Sequence, residues 1–323
     1  RRGDSSFLHR EIMAMNRLPG IAALALVTGW HLSLEAAPGD LPFRIASAAA
    51  SKASGLQGRA VVHLTRLKGT GRDAGLERVL AEVAEVSHLA SGGADVSYSD
   101  GQTCAMGAGW MLEVRGSGEW VRFRHDEYFG RGDARPIPRE EMPPVDELVV
   151  RAREFLGSSL KSFVLLGPGE GLEAWSADFL VSSAFDSAGI HESWVSASRV
   201  TFTRVVDQVP VLGPGSKASI IMSPDGEVIG FDFDWPALRR SSAKLKTVGV
   251  DVIRNRHVAV VREELGLSVP PTERSFECGY YDPGVAAADS GRALAPACVV
   301  AHRIEGGFDR LLVLKQAIGQ GSA

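Results

Sequence analysis

The chain has 323 residues, with 35 Lys and Arg against 39 Asp and Glu, a formal net charge of −4. Apolar residues make up 45% and charged residues 23%, which excludes wholesale disorder and leaves ample material for a core. With no basic excess to neutralise phosphates, the composition speaks against nucleic acid as a partner.

The first recognisable element is a leader. Met15-Asn16-Arg17 supplies a short basic start, and Leu18 to Leu34 is apolar, with no charged residue apart from the weak base His31. Glu35-Ala36-Ala37-Pro38-Gly39 then breaks the run. Basic start, apolar centre and small residues before a polar break form a secretory signal peptide. Pro19, Gly20 and Gly29 make the run a poor spanning helix; the alternative reading is an uncleaved anchor or a buried core helix. Residues 1–36 are therefore expected to be removed, leaving no stable membrane span and a secreted, periplasmic or extracellular protein. Arg1 to Ala14 precede Met15 and read as leader sequence.

Residues 37–135 are expected to form an N-terminal domain. Val61, Val62, Leu64 and Leu67 mark a strand, and Leu76, Val79, Leu80, Val83 and Val86 recur at helical spacing. From Asp95 to Phe129 the pattern turns to period two, with Gly116-Ser117-Gly118 turning a hairpin. Pro136, Pro138, Pro143 and Pro144 make 136–144 a linker. A second domain, 145–316, opens on a helix through Val145, Leu148, Val149, Ala152, Phe155 and Leu156, with Asp146 and Glu147 at its N-terminal end. Strands follow at Arg199–Val206, Val209–Leu212, Lys217–Met222 and Glu227–Trp235. Gly213-Pro214-Gly215-Ser216 and Pro224-Asp225-Gly226 supply the turns between them. Asp251 to Gly266 reads as a helix, Leu294–Ile304 and Leu311–Leu314 as closing strands, and 317–323 as a tail. Helix, antiparallel meander, helix and strands in this order predict an α+β fold, its helices packed on one face of the sheet.

The segment Arg199 to Gly230 carries a strand, then Pro210-Val211 with Gly213, then Asp225-Gly226 and Val228 before another strand. Together with the preceding helix, this resembles the PepSY module and the propeptide module of thermolysin- and fungalysin-type peptidases, over residues 145–235. Gln208-Val209 stand where that family usually has a glycine before its Pro-Val pair. The resemblance implies two PepSY- or cystatin-like halves. It also implies a non-catalytic role: chaperoning or inhibiting a peptidase, or acting in the cell envelope. The expected partner is an unknown protein or peptide.

The residues offer little chemistry. No two histidines stand at i and i+4, no Gly-x-Ser-x-Gly pentapeptide occurs, and Gly167-Pro168-Gly169-Glu170-Gly171 lacks the Gly-Lys-Ser/Thr ending of a phosphate loop. No metal, cofactor or catalytic residue is expected. The alternative reading is a secreted hydrolase, with Cys104 as nucleophile, a histidine as base and Gln102 as an oxyanion donor. In an oxidising compartment, Cys278 and Cys298 would close a disulfide loop; the alternative is three buried thiols. Asp232, Asp234, Trp235, Tyr280 and Tyr281 are the expected partner contacts, being acidic and aromatic residues close to turns.

Overall fold

A computed structural model describes residues 60–67, 73–86, 94–99, 102–115, 118–125, 137–186, 189–265, 273–284, 293–303 and 309–315. The leader with its cleavage site, and the tail 317–323, lie outside them. The chain runs β1 (Ala60–Arg66), α1 (Asp73–Val86), β2 (Asp95–Ser99), β3 (Gln102–Gly107), β4 (Trp110–Arg115), β5 (Trp120–His125), α2 (Val145–Ser158), β6 (Glu170–Asp186) and β7 (Gly189–Val206). It continues through β8 (Val209–Leu212), β9 (Lys217–Met222), β10 (Val228–Asp234), β11 (Leu238–Lys246), α3 (Val250–Leu265), β12 (Glu273–Tyr281), β13 (Ala293–Arg303) and β14 (Asp309–Lys315).

Strand dominates. The described strands form one sheet in the order β11-β1-β13-β12-β8-β7-β9-β10-β5-β4-β3-β2, with β14 beside β13 and β6 beside β7. The expectation of α+β halves, with helices layered on antiparallel meanders, is thereby overturned. Among the described residues there are three α-helices against fourteen strands. The sheet is mixed: Tyr280 and Tyr281 of β12 pair in parallel with Val211 and Leu212 of β8. That parallel step carries the hydrogen-bonded ladder from one part of the sheet into the next, so the strands do not separate into two repeated units. β5 pairs with β10, so strands from both sides of the Pro-rich segment 136–144 share this sheet.

Three apolar clusters lie against it, the smallest made of Ala197, Ile221 and Ile229. The first joins Val79 and Val83 of α1 and Leu148, Ala152 and Leu156 of α2 to Leu112, Phe123, Phe202, Ile220, Phe231 and Phe233. Phe231 and Phe233 stack with centroids 5.1 Å apart, and Phe163 stacks on Phe233 at 5.6 Å. The second joins Ile253 of α3 to Val61, Leu64, Val206, Tyr280, Leu294 and the half-cystines Cys278 and Cys298. Those cysteines face each other across β12 and β13 and form a disulfide.

Turn chemistry follows the sequence in two places and departs from it in a third. β4 and β5 form the expected hairpin, and Gly226 at φ 84 closes the turn between β9 and β10. Gly213 to Ser216, by contrast, is not a hairpin loop. β8 pairs with Val205 and Val206 of β7, and β9 pairs with Ser198 to Thr203 of the same strand. The intervening turn shifts the chain along one strand instead of reversing it. Asp207 and Gln208, linking β7 to β8, both have positive φ, 50 and 65, the backbone of a type I′ turn.

Candidate functional site

The expected contact residues scatter, and most are sealed. Asp234 is buried and accepts a 2.7 Å ion pair from Arg66. Trp235 sits in the first core, donating its indole N–H to the Leu165 carbonyl at 2.9 Å. Tyr280 is buried in the second core and donates to the Val62 carbonyl at 3.0 Å; burial pushes its phenol pKa up. Tyr281 is half-buried beside Gly213. Asp232 is also half-buried, on the face of the sheet that carries ion pairs.

A polar network fills the region where β1, β10, β12 and the turn before β9 converge. Arg66 at the end of β1 bridges Asp234 and Asp282, donating to the latter at 3.1 Å. The Asp282 carboxylate also accepts from the Ser216 hydroxyl at 2.8 Å and from the Gly284 N–H at 3.1 Å. A Cβ at Gly215 would collide with that carboxylate, which is why the turn needs glycine there. Arg204 is 1% exposed; it donates to the Pro236 carbonyl at 2.7 Å and lies 4.3 Å over the Trp235 ring. Burial pulls its guanidinium down to about 10, while Glu170 and Asp282 act in the other direction. Lys217 donates to the Thr203 hydroxyl at 2.6 Å and to the Val211 carbonyl. Burial pulls its ammonium down to about 7, although Asp282, Glu277 and Asp234 favour the charged form. Every charge named here meets an opposite charge, a hydrogen-bond partner or an aromatic ring. The network is a staple.

Outside the first core, one face of the sheet is a ladder of ion pairs. Strand register sets Cys104, Glu113, Arg122, Asp232 and Ser219 in one row. Asp232 accepts from Arg124 at 2.7 Å and from Arg122 at 3.1 Å, and Arg122 also reaches Glu113 at 3.4 Å. Arg115 and Arg122 lie over the Trp120 ring at 4.8 and 5.2 Å. Glu113 and Asp232 are thus paired with arginines. Among the described residues no group of three His, Cys, Asp or Glu side chains could hold a metal. Cys104, free and half-buried in this row, has its pKa raised first by burial and then by Glu113, against a lowering hydrogen bond from Ser97. That field favours the thiol, whereas a nucleophile needs the thiolate.

β6, β11 and β14 each pair on one side among the described residues, and so does β2, whose edge also carries exposed apolar side chains. Among the described residues β2 pairs only with β3, so one row of its backbone N–H and C=O groups faces outward. Register places Val96 opposite Ala105, which opposes Leu112, which opposes Phe123. The last three are buried in the core. Val96 and Tyr98 therefore lie on the core side of the sheet, where strand alternation would normally hide them. They are 43% and 72% exposed. Among the described residues, the core face of the sheet has its two apolar side chains at β2 exposed. Sequence reading included Asp95–Ser99 in one long period-two run and did not separate it. Its brevity and terminal place in the pairing order cannot be seen from alternation alone.

No family model matches the chain, and no curated protein matches it. Among solved structures, the crystal structure of an uncharacterized protein from Eubacterium rectale is similar. The identity is 10%, over 80% of this chain and 82% of that one, with a TM-score of 0.44. No helix among the described residues is long and apolar enough to cross a membrane.

Proposed function

We propose that this protein is a secreted, non-enzymatic module that holds an extended segment of a protein or peptide partner by strand addition at β2. The observation that carries the reading is the edge at β2, with Val96 and Tyr98 exposed on the face that is core in β3, β4, β5 and β10. Strand addition uses main-chain hydrogen bonds for affinity and alternate side chains for selection. An incoming strand with apolar residues at every second position would extend the core face by one more strand. The leader-like N-terminus and the Cys278–Cys298 disulfide support an exported protein. The resemblance of residues 145–235 to PepSY and peptidase-propeptide modules supports a binding role over a catalytic one. So does the raised pKa of Cys104, which counts against the hydrolase alternative.

The test is a titration of fluorescently labelled synthetic peptides with strictly alternating apolar residues, read by anisotropy. Binding to the wild-type chain is expected to weaken at least about tenfold in Tyr98→Lys, which places a charge where an apolar contact is needed. Equal affinity in the variant, or no binding by the wild type to any such peptide, would refute the assignment.

A further inference from the structure

We infer that β2 also pairs with β2 of a second copy of this chain, in antiparallel register about a two-fold axis at Ser97. This rests on the reading of β2 as a strand-accepting edge and names one partner for it. The residues of the strand, Asp95-Val96-Ser97-Tyr98-Ser99, are complementary to themselves in this register. Val96 of one copy faces Tyr98 of the other, twice, an aromatic against a β-branched side chain, a pairing that stabilises antiparallel strands. Asp95 faces Ser99, so the strand's only charge never meets its like.

Alternative registers do worse. Keeping both core faces on one side of the joined sheet requires the axis to pass through a residue, because side chains directly opposite each other share a face. An axis at Val96 sets Tyr98 against Ala94, and one at Tyr98 sets Val96 against Asp100. Only the axis at Ser97 covers each exposed apolar residue with the other. A pairing of five residues per copy buries little area, so the association is expected to be weak, in the micromolar range. It is isologous and closes on itself, leaving no free β2 edge for further growth.

Light scattering coupled to size exclusion, over a concentration series of the wild-type chain, is expected to show mass rising from monomer toward dimer. Tyr98→Lys is expected to remain monomeric throughout and, since the side chain is 72% exposed, to keep the wild-type fold, checked by its urea midpoint. The register is read separately with Ser97→Cys in a Cys104→Ser background. The background is needed because Ser97 and Cys104 are cross-strand neighbours and would otherwise pair within one chain. Residues opposite each other at the axis have Cα atoms roughly 4.5–5.5 Å apart, within disulfide reach. Mild oxidation should therefore give a covalent dimer. A wild type that stays monomeric, a dimer untouched by Tyr98→Lys, or a dimer that fails to cross-link at position 97 would each overturn the inference. Peptide binding by a monomeric wild type would leave the proposed function standing and remove only the self-pairing.

Discussion

The main run of the sheet, from β11 to β2 with β6 and β14 off its path, ends in two different ways. At one end β11 presents Arg239, Arg240, Lys244 and Lys246 without an acidic residue, and its register with β1 is broken between Val62 and Leu64. Basic side chains and irregular register are the usual means of keeping an edge from recruiting another strand. Nearby, the Cys278–Cys298 disulfide ties β12 to β13, and Asp282 ties β1 to the turn before β9. At the other end β2 has one charge, two exposed apolar side chains and a regular register with β3. One end is pinned and repellent; the other is regular and adhesive. An edge left in the second condition invites pairing, and the contrast within one sheet is what supports the binding role proposed for β2.

The contrast can be broken most severely at Asp282. Asp282→Ala leaves Arg66 buried beside Asp234 alone and removes the acceptor for Ser216. A loss of about 3–5 kcal/mol is expected from urea midpoints. Hydrogen exchange should show β1 and β11 losing protection before β2 and β3. Next comes the disulfide. Cys278→Ser with Cys298→Ser releases a loop spanning 20 positions and should cost about 3 kcal/mol. The β2-dependent association should survive in the folded fraction.

Lys217 gives a pH signature for the staple. Its folded pKa of about 7 lies below the ordinary 10.5. Between those values the unfolded chain holds the proton and the folded chain does not, so this group makes stability rise as pH climbs from about 7 toward 10.5. Below that window the contribution is constant. Lys217→Met should flatten the slope of denaturation midpoint against pH; an unchanged slope would show that Lys217 is not its source. The smallest effect on stability, and the sharpest test of the comparison, is Lys244→Val with Lys246→Val. These exposed changes should alter stability by no more than about 0.5 kcal/mol. Yet they convert the pinned end into an adhesive one, and mass measurements should detect new association that Tyr98→Lys does not suppress.

How far the sequence was readable depended on how local each cause was. α1 and α2 declared themselves because Val79 and Val83, and Leu148, Ala152 and Leu156, recur at helical spacing and do become core. The pairing of Cys278 with Cys298 was expected from two cysteines 20 positions apart, on the expectation of an oxidising compartment, and the disulfide is present. β6 escaped notice because register shifts at Ala174/Ser176, Leu180/Val181 and Ala184/Phe185 interrupt its alternation. β11 escaped because a charged edge strand has no apolar period to detect. Asp234, Trp235 and Tyr280 lie next to turns in sequence, which made them candidate contacts, but neighbouring strands bury all three. Val96 and Tyr98 were visible only as two members of a long alternating stretch.

What the amino-acid sequence determined by itself was whatever arises within a few residues. Helical stripes and the Pro-Asp-Gly turn belong to that class. What only the tertiary structure decided was strand order: the parallel step between β8 and β12, the single mixed sheet, and the position of β2 at its end. Pairing order depends on hydrogen bonds between segments far apart in the chain, and side-chain periodicity carries no record of which strand will be the neighbour. Whether an apolar residue becomes core or contact surface turns on that neighbour.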